Sequence, residues 1–257
     1  MSKSSRPNGV ILYRGPSLLD GSPIVCIATF ETSNAKTGDM IQTWILPDNG
    51  LDPVEALKQG ANFGACGNCP LQGWMDPDTG KMVNRVCYVN VGQAPLGIWR
   101  CHQEGGYPTY NARKHRQWFV GRKIRIGAYG DPAAVPVPLV RWLADVSIAW
   151  TGYSHQLFWC DPRRAAALAK YLMVSCHTRA QSMEATRRGW RFFEAIREDQ
   201  TPPENAIECP HYSHGVQCAD CLLCEGTDKQ AKSIYVIAHA KVGRNLGAVQ
   251  EMEAMAV

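Results

Sequence analysis

Between Cys209 and Cys224 the chain reads Cys-Pro-His-Tyr-Ser-His-Gly-Val-Gln-Cys-Ala-Asp-Cys-Leu-Leu-Cys. Four thiols, Cys209, Cys218, Cys221 and Cys224, fall in this one stretch, and the last three are spaced C-x2-C-x2-C. Two intervening residues let neighbouring thiolates converge on one small object, either a metal ion or an iron–sulfur cluster. A disulfide framework competes poorly. Three cysteines this close form strained loops and leave one thiol in need of a distant mate. Zinc sites usually bring two well-separated CxxC pairs, whereas here three thiols come in one run and Cys209 precedes a proline. That pattern is nearer to ferredoxin-type ligation of a [4Fe-4S] cluster, with zinc as the alternative. His211 and His214 lie inside the loop and could replace a cysteine, although four thiolates already suffice.

A second group is Cys66-Gly-Asn-Cys69-Pro70, followed later by Cys87. A CxxC pair also serves redox chemistry, but Pro70 and Gly73 do not suit the helix start which that use requires. Three thiolates would leave one iron of a cubane open, and an open iron can bind a small ligand. Cys101, His102 or a thiolate of the late group could instead complete the set. One shared centre and two separate centres both satisfy the spacing.

These groups need a scaffold, and the remaining sequence supplies one. A chain of 257 residues with 19% charged residues can bury a substantial core and is not a disordered polyelectrolyte. The formal charge of +4 permits an acidic partner without demanding one. Eleven cysteines in a chain of this length, a polar start without an apolar signal core, and no run of membrane-spanning length point to a reducing cytoplasm where thiols stay free. Residues 1–9 read as a loose tail. Residues 10–257 read as a single domain with cysteine-rich insertions at about 60–90 and 205–228.

Short apolar runs fit for strands occur at 24–30, 40–46, 86–91, 123–129, 147–152, 171–176, 190–195 and 233–239. Helical candidates at 52–59, 136–146, 162–170 and 181–188 separate many of them. Asp52 offers a cap, Pro53, Pro136 and Pro162 suit first positions, and Gly189 suits a stop. Arg244 onward reads as a terminal helix. Strand–helix repetition predicts α/β architecture with parallel strands. Eight runs suggest a (β/α) barrel, closed or partial, with an open doubly wound sheet as the alternative. The basic, aromatic stretch 109–120, with Arg113, Lys114 and Arg116, reads as a helix that could meet phosphates or simply pack its rings inward. The polar loop 32–39 reads as a connection or a ligand loop.

In such folds chemistry gathers beyond the C-terminal ends of the strands. Asp131, His155 and His239 stand there as candidate cofactor-binding residues, with His177 beside them. The late cysteine loop is expected at the same edge. The CxxC-Pro group, Cys87-Tyr88, the run Arg125-Ile-Gly-Ala-Tyr-Gly-Asp-Pro132 and Thr151-Gly-Tyr-Ser-His155 together resemble a tailed-phage protein family, some of whose members resemble radical-SAM enzymes with a (β/α) barrel. The resemblance spans about Gly15 to His239. It implies an iron–sulfur protein in a host cytoplasm that binds S-adenosylmethionine and acts on a nucleotide or nucleic acid. The usual CxxxCxxC signature is absent, so Cys66, Cys69 and Cys87 would supply those ligands at another spacing. A zinc-stapled nucleic-acid-binding module without activity is the alternative. A zinc hydrolase ranks last, because neither HExxH nor a deaminase-type pattern is present.

Overall fold

The computed structural model of the chain describes residues 6–255. Residues 1–5 of the expected tail lie outside this range, and residues 6–9 are anchored rather than loose. The Arg6 guanidinium lies 4.5 Å over the Phe30 ring, and Asn8 accepts hydrogen bonds from the Phe30 and Glu31 N–H groups. Gly9 already belongs to β1 (Gly9–Pro16), which runs antiparallel to β2 (Pro23–Thr29), itself antiparallel to β3 (Met40–Pro47).

The long connection after β3 carries α1 (Pro53–Lys58), α2 (Phe63–Cys66), the hairpin β4 (Trp74–Met75) and β5 (Met82–Val83), α3 (Ala94–Gln103) and α4 (Ala112–His115). Asp52 caps α1 through the Val54 and Glu55 N–H groups, with Pro53 at the first position. The repeating part then begins. It runs β6 (Lys123–Tyr129), α5 (Val137–Val146), β7 (Ala149–Ser154), α6 (Pro162–Ala169), β8 (Met173–Cys176), α7 (Arg179–Arg187) and β9 (Phe192–Arg197). Asp161 and Thr178 cap α6 and α7, and Gly189 takes the left-handed conformation (φ 71°) just past α7. The chain ends with β10 (Ala206–Glu208), α8 (Pro210–His214), α9 (Cys218–Cys221), β11 (Ser233–Ala238) and α10 (Ala240–Met255).

Nine strands form one sheet in the order β1-β2-β3-β6-β7-β8-β9-β11-β10. From β3 to β10 every neighbouring pair is parallel. The sheet is open, with β1 and β10 as its edges, so the expected closed barrel is not what the hydrogen bonding forms. The order from β6 to β9 never reverses, so the doubly wound alternative, which needs a switch point, does not apply. Right-handed crossovers advancing one way place their helices on one face. Accordingly Val140 and Leu143 of α5, Leu168 of α6 and Ala185 of α7 share one core with Ile124, Ile126, Val174 and Phe192.

The opposite face is covered differently. Residues of α1 and α3 cover Val25, Ile27, Trp44 and Leu46. Leu71 and Val86 of the first insertion meet Leu246 and Val249 of α10 over Ala195 and Ala238. Cys209, Leu223 and Cys224 pack on Tyr153, Met173, Phe193 and Ile234. The thiol-bearing segments are therefore themselves the second layer of the core.

Two further expectations are corrected. Residues 86–91 are not a strand, because the Val86 and Cys87 N–H groups both donate to Leu71 O and pin the segment to the 70–72 turn. The stretch 109–120 is not one helix. Only Ala112–His115 is α-helical, a single 3-10 turn follows, and Phe119 is fully buried against Phe30, Tyr110 and Trp142.

The late loop also sits at the opposite edge from the one expected. Cys218 and Ala219 donate backbone hydrogen bonds to Lys36 O and Thr37 O, just ahead of β3, and Lys123 Nζ at the start of β6 reaches Ala219 O at 2.5 Å. β10 spans three residues and pairs with the first half of β11, so the chain leaving it must double back to the start of β11. Arg191, ahead of β9, fastens the return. Its guanidinium donates to the carbonyls of Leu223, Glu225, Gly226 and Lys232 at 2.6–3.4 Å. A planar fork with fixed donors matches four converging carbonyls, and an ammonium does not. Arg191→Lys is expected to lower stability by about 3 kcal/mol and to raise amide exchange selectively across residues 209–232. Denaturant titration and exchange mass spectrometry measure both.

Candidate metal centre

All eleven cysteines are free thiols. The early group is built at the C-terminal ends of β3 and β6. Cys66 closes α2, Cys69 begins the 70–72 turn, and Cys87 is held by its N–H to Leu71 O at 2.7 Å. Ala65 O accepts the Asp131 N–H at 2.7 Å, which seats the α2 end on the end of β6. Gly67 has φ 63°, and a Cβ there would lie 2.3 Å from Gln156, so only glycine lets the chain turn between the two cysteines. Burial pushes the Cys66 thiol up to about 12, with further contributions from Cys87 and Asp131, while Tyr129 and Arg85 oppose the rise. Burial, then Cys87 and Cys66, push Cys69 up as well. The three thiols thus lie within electrostatic reach of one another. The Tyr129 hydroxyl faces Cys66 and has no hydrogen-bond partner among the described residues.

The late group lies on the same face of the sheet, towards the N-terminal ends of the strands. Cys209 caps α8 and donates its N–H to Tyr235 O, Cys218 and Cys221 bound α9, and Cys224 O accepts the Gly152 N–H at 3.0 Å. Leu222 takes φ 52°, a left-handed turn that brings Cys224 back towards Cys218. Burial raises the Cys224 thiol to about 12, with Cys209 and Cys218 adding to it against Tyr153 and Arg125. Burial also raises Cys218, opposed by Arg125 and Lys36. Among the described residues, no three His, Cys, Asp or Glu side chains already stand in the geometry of a single-ion site.

The residue between the groups is Arg125, at the centre of β6. It is 6% exposed and donates one hydrogen bond, from Nη2 to the Tyr88 hydroxyl at 2.5 Å. Its guanidinium lies 5.2 Å from the Tyr153 ring centre, and no carboxylate pairs with it among the described residues. Burial opposes its charge, and Tyr88, Tyr153 and Cys218 outweigh that opposition. An isolated buried cation costs several kcal/mol. Tyr88 follows Cys87 directly, so one guanidinium touches the surroundings of both thiol groups. Arg85 plays a parallel part at the early group, where it lowers Cys66 and bonds Gln72 O and Val89 O.

The three polar candidates fare differently. Asp131 is spent on structure, accepting from Ser154 Oγ (2.7 Å), His155 N–H (2.7 Å) and Ala133 N–H (2.9 Å), and so tying β7 to the end of β6. His239 is exposed at the rim and pairs with Glu198 at 2.5 Å, away from both thiol groups. His155 is half-buried beside the buried His177, ring centres 6.2 Å apart, and the Nδ1 of each has no partner among the described residues. Sequence reading missed Arg85, Arg125, Arg191, Tyr129 and Tyr153. The available signal was a charged residue at the centre of an otherwise buried strand. The basic side chains Arg113, Lys114 and Arg116 are exposed, but the rings beside them turn inward.

Comparison with protein-family models, curated proteins and solved structures finds no match. No helix among the described residues is long and apolar enough to cross a membrane.

Burial first, and His177 second, hold His155 down to about 3. Below pH 6.5 the unfolded chain protonates this imidazole while the folded chain refuses the proton until about pH 3. Stability from this group is therefore complete above pH 6.5 and falls as the pH drops through that window, by about 1.4 kcal/mol per unit. His155→Gln is expected to flatten the acid limb between pH 6 and pH 4, read by urea titration at each pH. Asp131→Ala is expected to cost about 3 kcal/mol with no ligand present.

Proposed function

We propose that this chain is an iron–sulfur protein on a partial (β/α) barrel, with a [4Fe-4S] cluster held by Cys209, Cys218, Cys221 and Cys224 and a three-thiolate centre at Cys66, Cys69 and Cys87. The observation that carries the reading is Arg125. Unlike Arg191, which four carbonyls satisfy, Arg125 makes one hydrogen bond, has no carboxylate and lies near Cys218, a setting that favours an anionic neighbour, and thiols become anionic when they bind metal. Four thiolates around a cubane carry net negative charge, which Arg125 on the sheet and Lys36 beside Cys218 would balance.

The donor set fits such a group. The thiols are free, and Cys209, Cys218 and Cys224 are buried, Cys209 and Cys224 in an apolar layer between sheet and loop that would keep solvent from a cluster. Arg191 orients the late ligands through their backbone, and Tyr153 lies against Cys224. At the early centre, three cysteines leave one coordination position for a small ligand. That position supports the radical-SAM-like reading, in which S-adenosylmethionine binds there and the substrate is a nucleotide or nucleic acid. A bound cluster supplies one-electron chemistry. The chain's own part is to shape the cavity, place the counter-charges and exclude water.

The test is reconstitution with iron and sulfide without oxygen, followed by metal and sulfide analysis. The expected product is brown, with about four irons per intact centre. Cys218→Ala is expected to lose one centre and Cys66→Ala the other, independently. Arg125→Gln is expected to reduce retention at the late centre by about tenfold against a chelator, and Arg125→Lys to restore most of it. Colourless protein with stoichiometric zinc overturns the reading in favour of the zinc-stapled module.

A further inference from the structure

A cleft of about 770 Å³ opens at the C-terminal edge of the sheet, apart from both thiol groups. It is walled by the segments that follow three consecutive parallel strands, β7, β8 and β9, and by α10. Loops after strands at this edge are where parallel folds bind ligands, and the volume suits a small molecule.

Two features give the cleft its chemistry. Trp159 stands in it with 66% of its surface exposed, a large indole with nothing packed over it. Beside it, Arg188 stacks on both Phe158 and Trp190 at 5.0–5.4 Å, which fixes the guanidinium plane next to the rings. The second feature is a set of donors without acceptors. Arg188 spends Nε on Glu184, and Arg179 pairs with the buried Glu194 at 3.4 Å and spends Nη2 on Thr201 O, which leaves further guanidinium N–H groups on each. Thr178 caps only the Gln181 N–H, so the first-turn N–H groups of Arg179 and Ala180 have no partner among the described residues. Of the three acids in the lining, Glu184 is tied to Arg187 and Arg188, and Glu253 to His177, so only Glu251 is left.

A third observation lies beneath the wall. His177 is 3% exposed and is touched by Gln181, Gln250 and Glu253, all of which line the cleft, yet its Nδ1 has no partner. Through those contacts His177 fixes the Gln181, Gln250 and Glu253 side chains in the wall of the cleft.

We propose that this cleft binds a nucleoside monophosphate, its base stacked on Trp159 and its phosphate held by Arg179, Arg188 and the first turn of α7. An aromatic face beside arginine and free helix N–H groups recognises a flat ring joined to an anion. The assignment deepens the nucleotide reading of the proposed function by giving it a location. Gln156 links the two sites, since it bonds Cys66 O at 3.4 Å and lies two residues before Phe158. The cleft itself needs no metal to exist.

Calorimetric titration with AMP and with inorganic phosphate, on both metal-free and reconstituted protein, tests this. Saturable AMP binding is expected in both forms, with phosphate alone at least about tenfold weaker. Trp159→Ala and Arg188→Ala are each expected to weaken AMP by about tenfold, and Trp159→Phe to recover most of the loss. Trp159 is exposed, so its replacement leaves the fold in place, which an unchanged melting temperature verifies. Absence of saturable heat with AMP, GMP, CMP and UMP overturns the proposal, as does unchanged binding by Trp159→Ala. Nucleotide binding by a chain that never takes up iron defeats the cluster reading alone. A loaded, brown protein indifferent to all four nucleotides defeats this assignment alone.

Discussion

The arrangement depends on one buried positive charge. Arg125 sits in the middle of a parallel strand, where neighbouring positions hold Ile124 and Ile126, and it has a phenol for a partner instead of a carboxylate. Desolvating a guanidinium this far is tolerable only if the surroundings supply electron density. The surroundings supply two phenol rings and the sulfur of Cys218. Both cysteine-rich segments come to this face, one from each end of the strands, and Arg125 stands where they meet. Tyr88, Tyr153 and Cys218 already favour the charge, and Cys218 as a thiolate would strengthen that balance.

The placement of the two segments follows from chain connection. The early segment leaves β3 at its C-terminal end and stays there, held by Asp131 N–H on Ala65 O and by Gln156 on Cys66 O. The late segment leaves the short β10 and must return to the start of β11, which carries it to the other end. Arg191 and Lys123 catch it on the way. The two groups therefore share a face while occupying different heights along it.

Part of the scaffold was legible because α1, α5, α6 and α7 announce themselves locally, whereas α3 (Ala94–Gln103) was not read. Asp52, Asp161 and Thr178 cap, Pro53 and Pro162 begin, and Gly189 ends, and these are short-range rules. Parallel alternation from β6 to β9 was visible for the same reason. What failed was non-local. Apolar residues at 86–91 read as a strand, but their partner is a turn at Leu71, and no sequence window contains that fact. Closure into a barrel depends on whether the edge strands meet, and β1 and β10 do not pair. Of the candidate residues, the cysteines were recognisable by spacing. Asp131 looked like a ligand because a carboxylate after a strand resembles one, whereas its three local hydrogen bonds were hidden in the folding of β7.

One face of the sheet is clothed by ordinary amphipathic helices, while much of the other is clothed by loops that bring Leu71, Val86, Leu223 and several thiols against it. Helices cohere through their own backbone ladder, but a loop needs an internal fastener. Here Arg191, bonded to four carbonyls, is that fastener, and seating the late loop completes the hydrophobic interior. A chain with that loop unseated would present a half-dressed sheet to the cell, with the parallel strands exposed along that side to proteases and to one another.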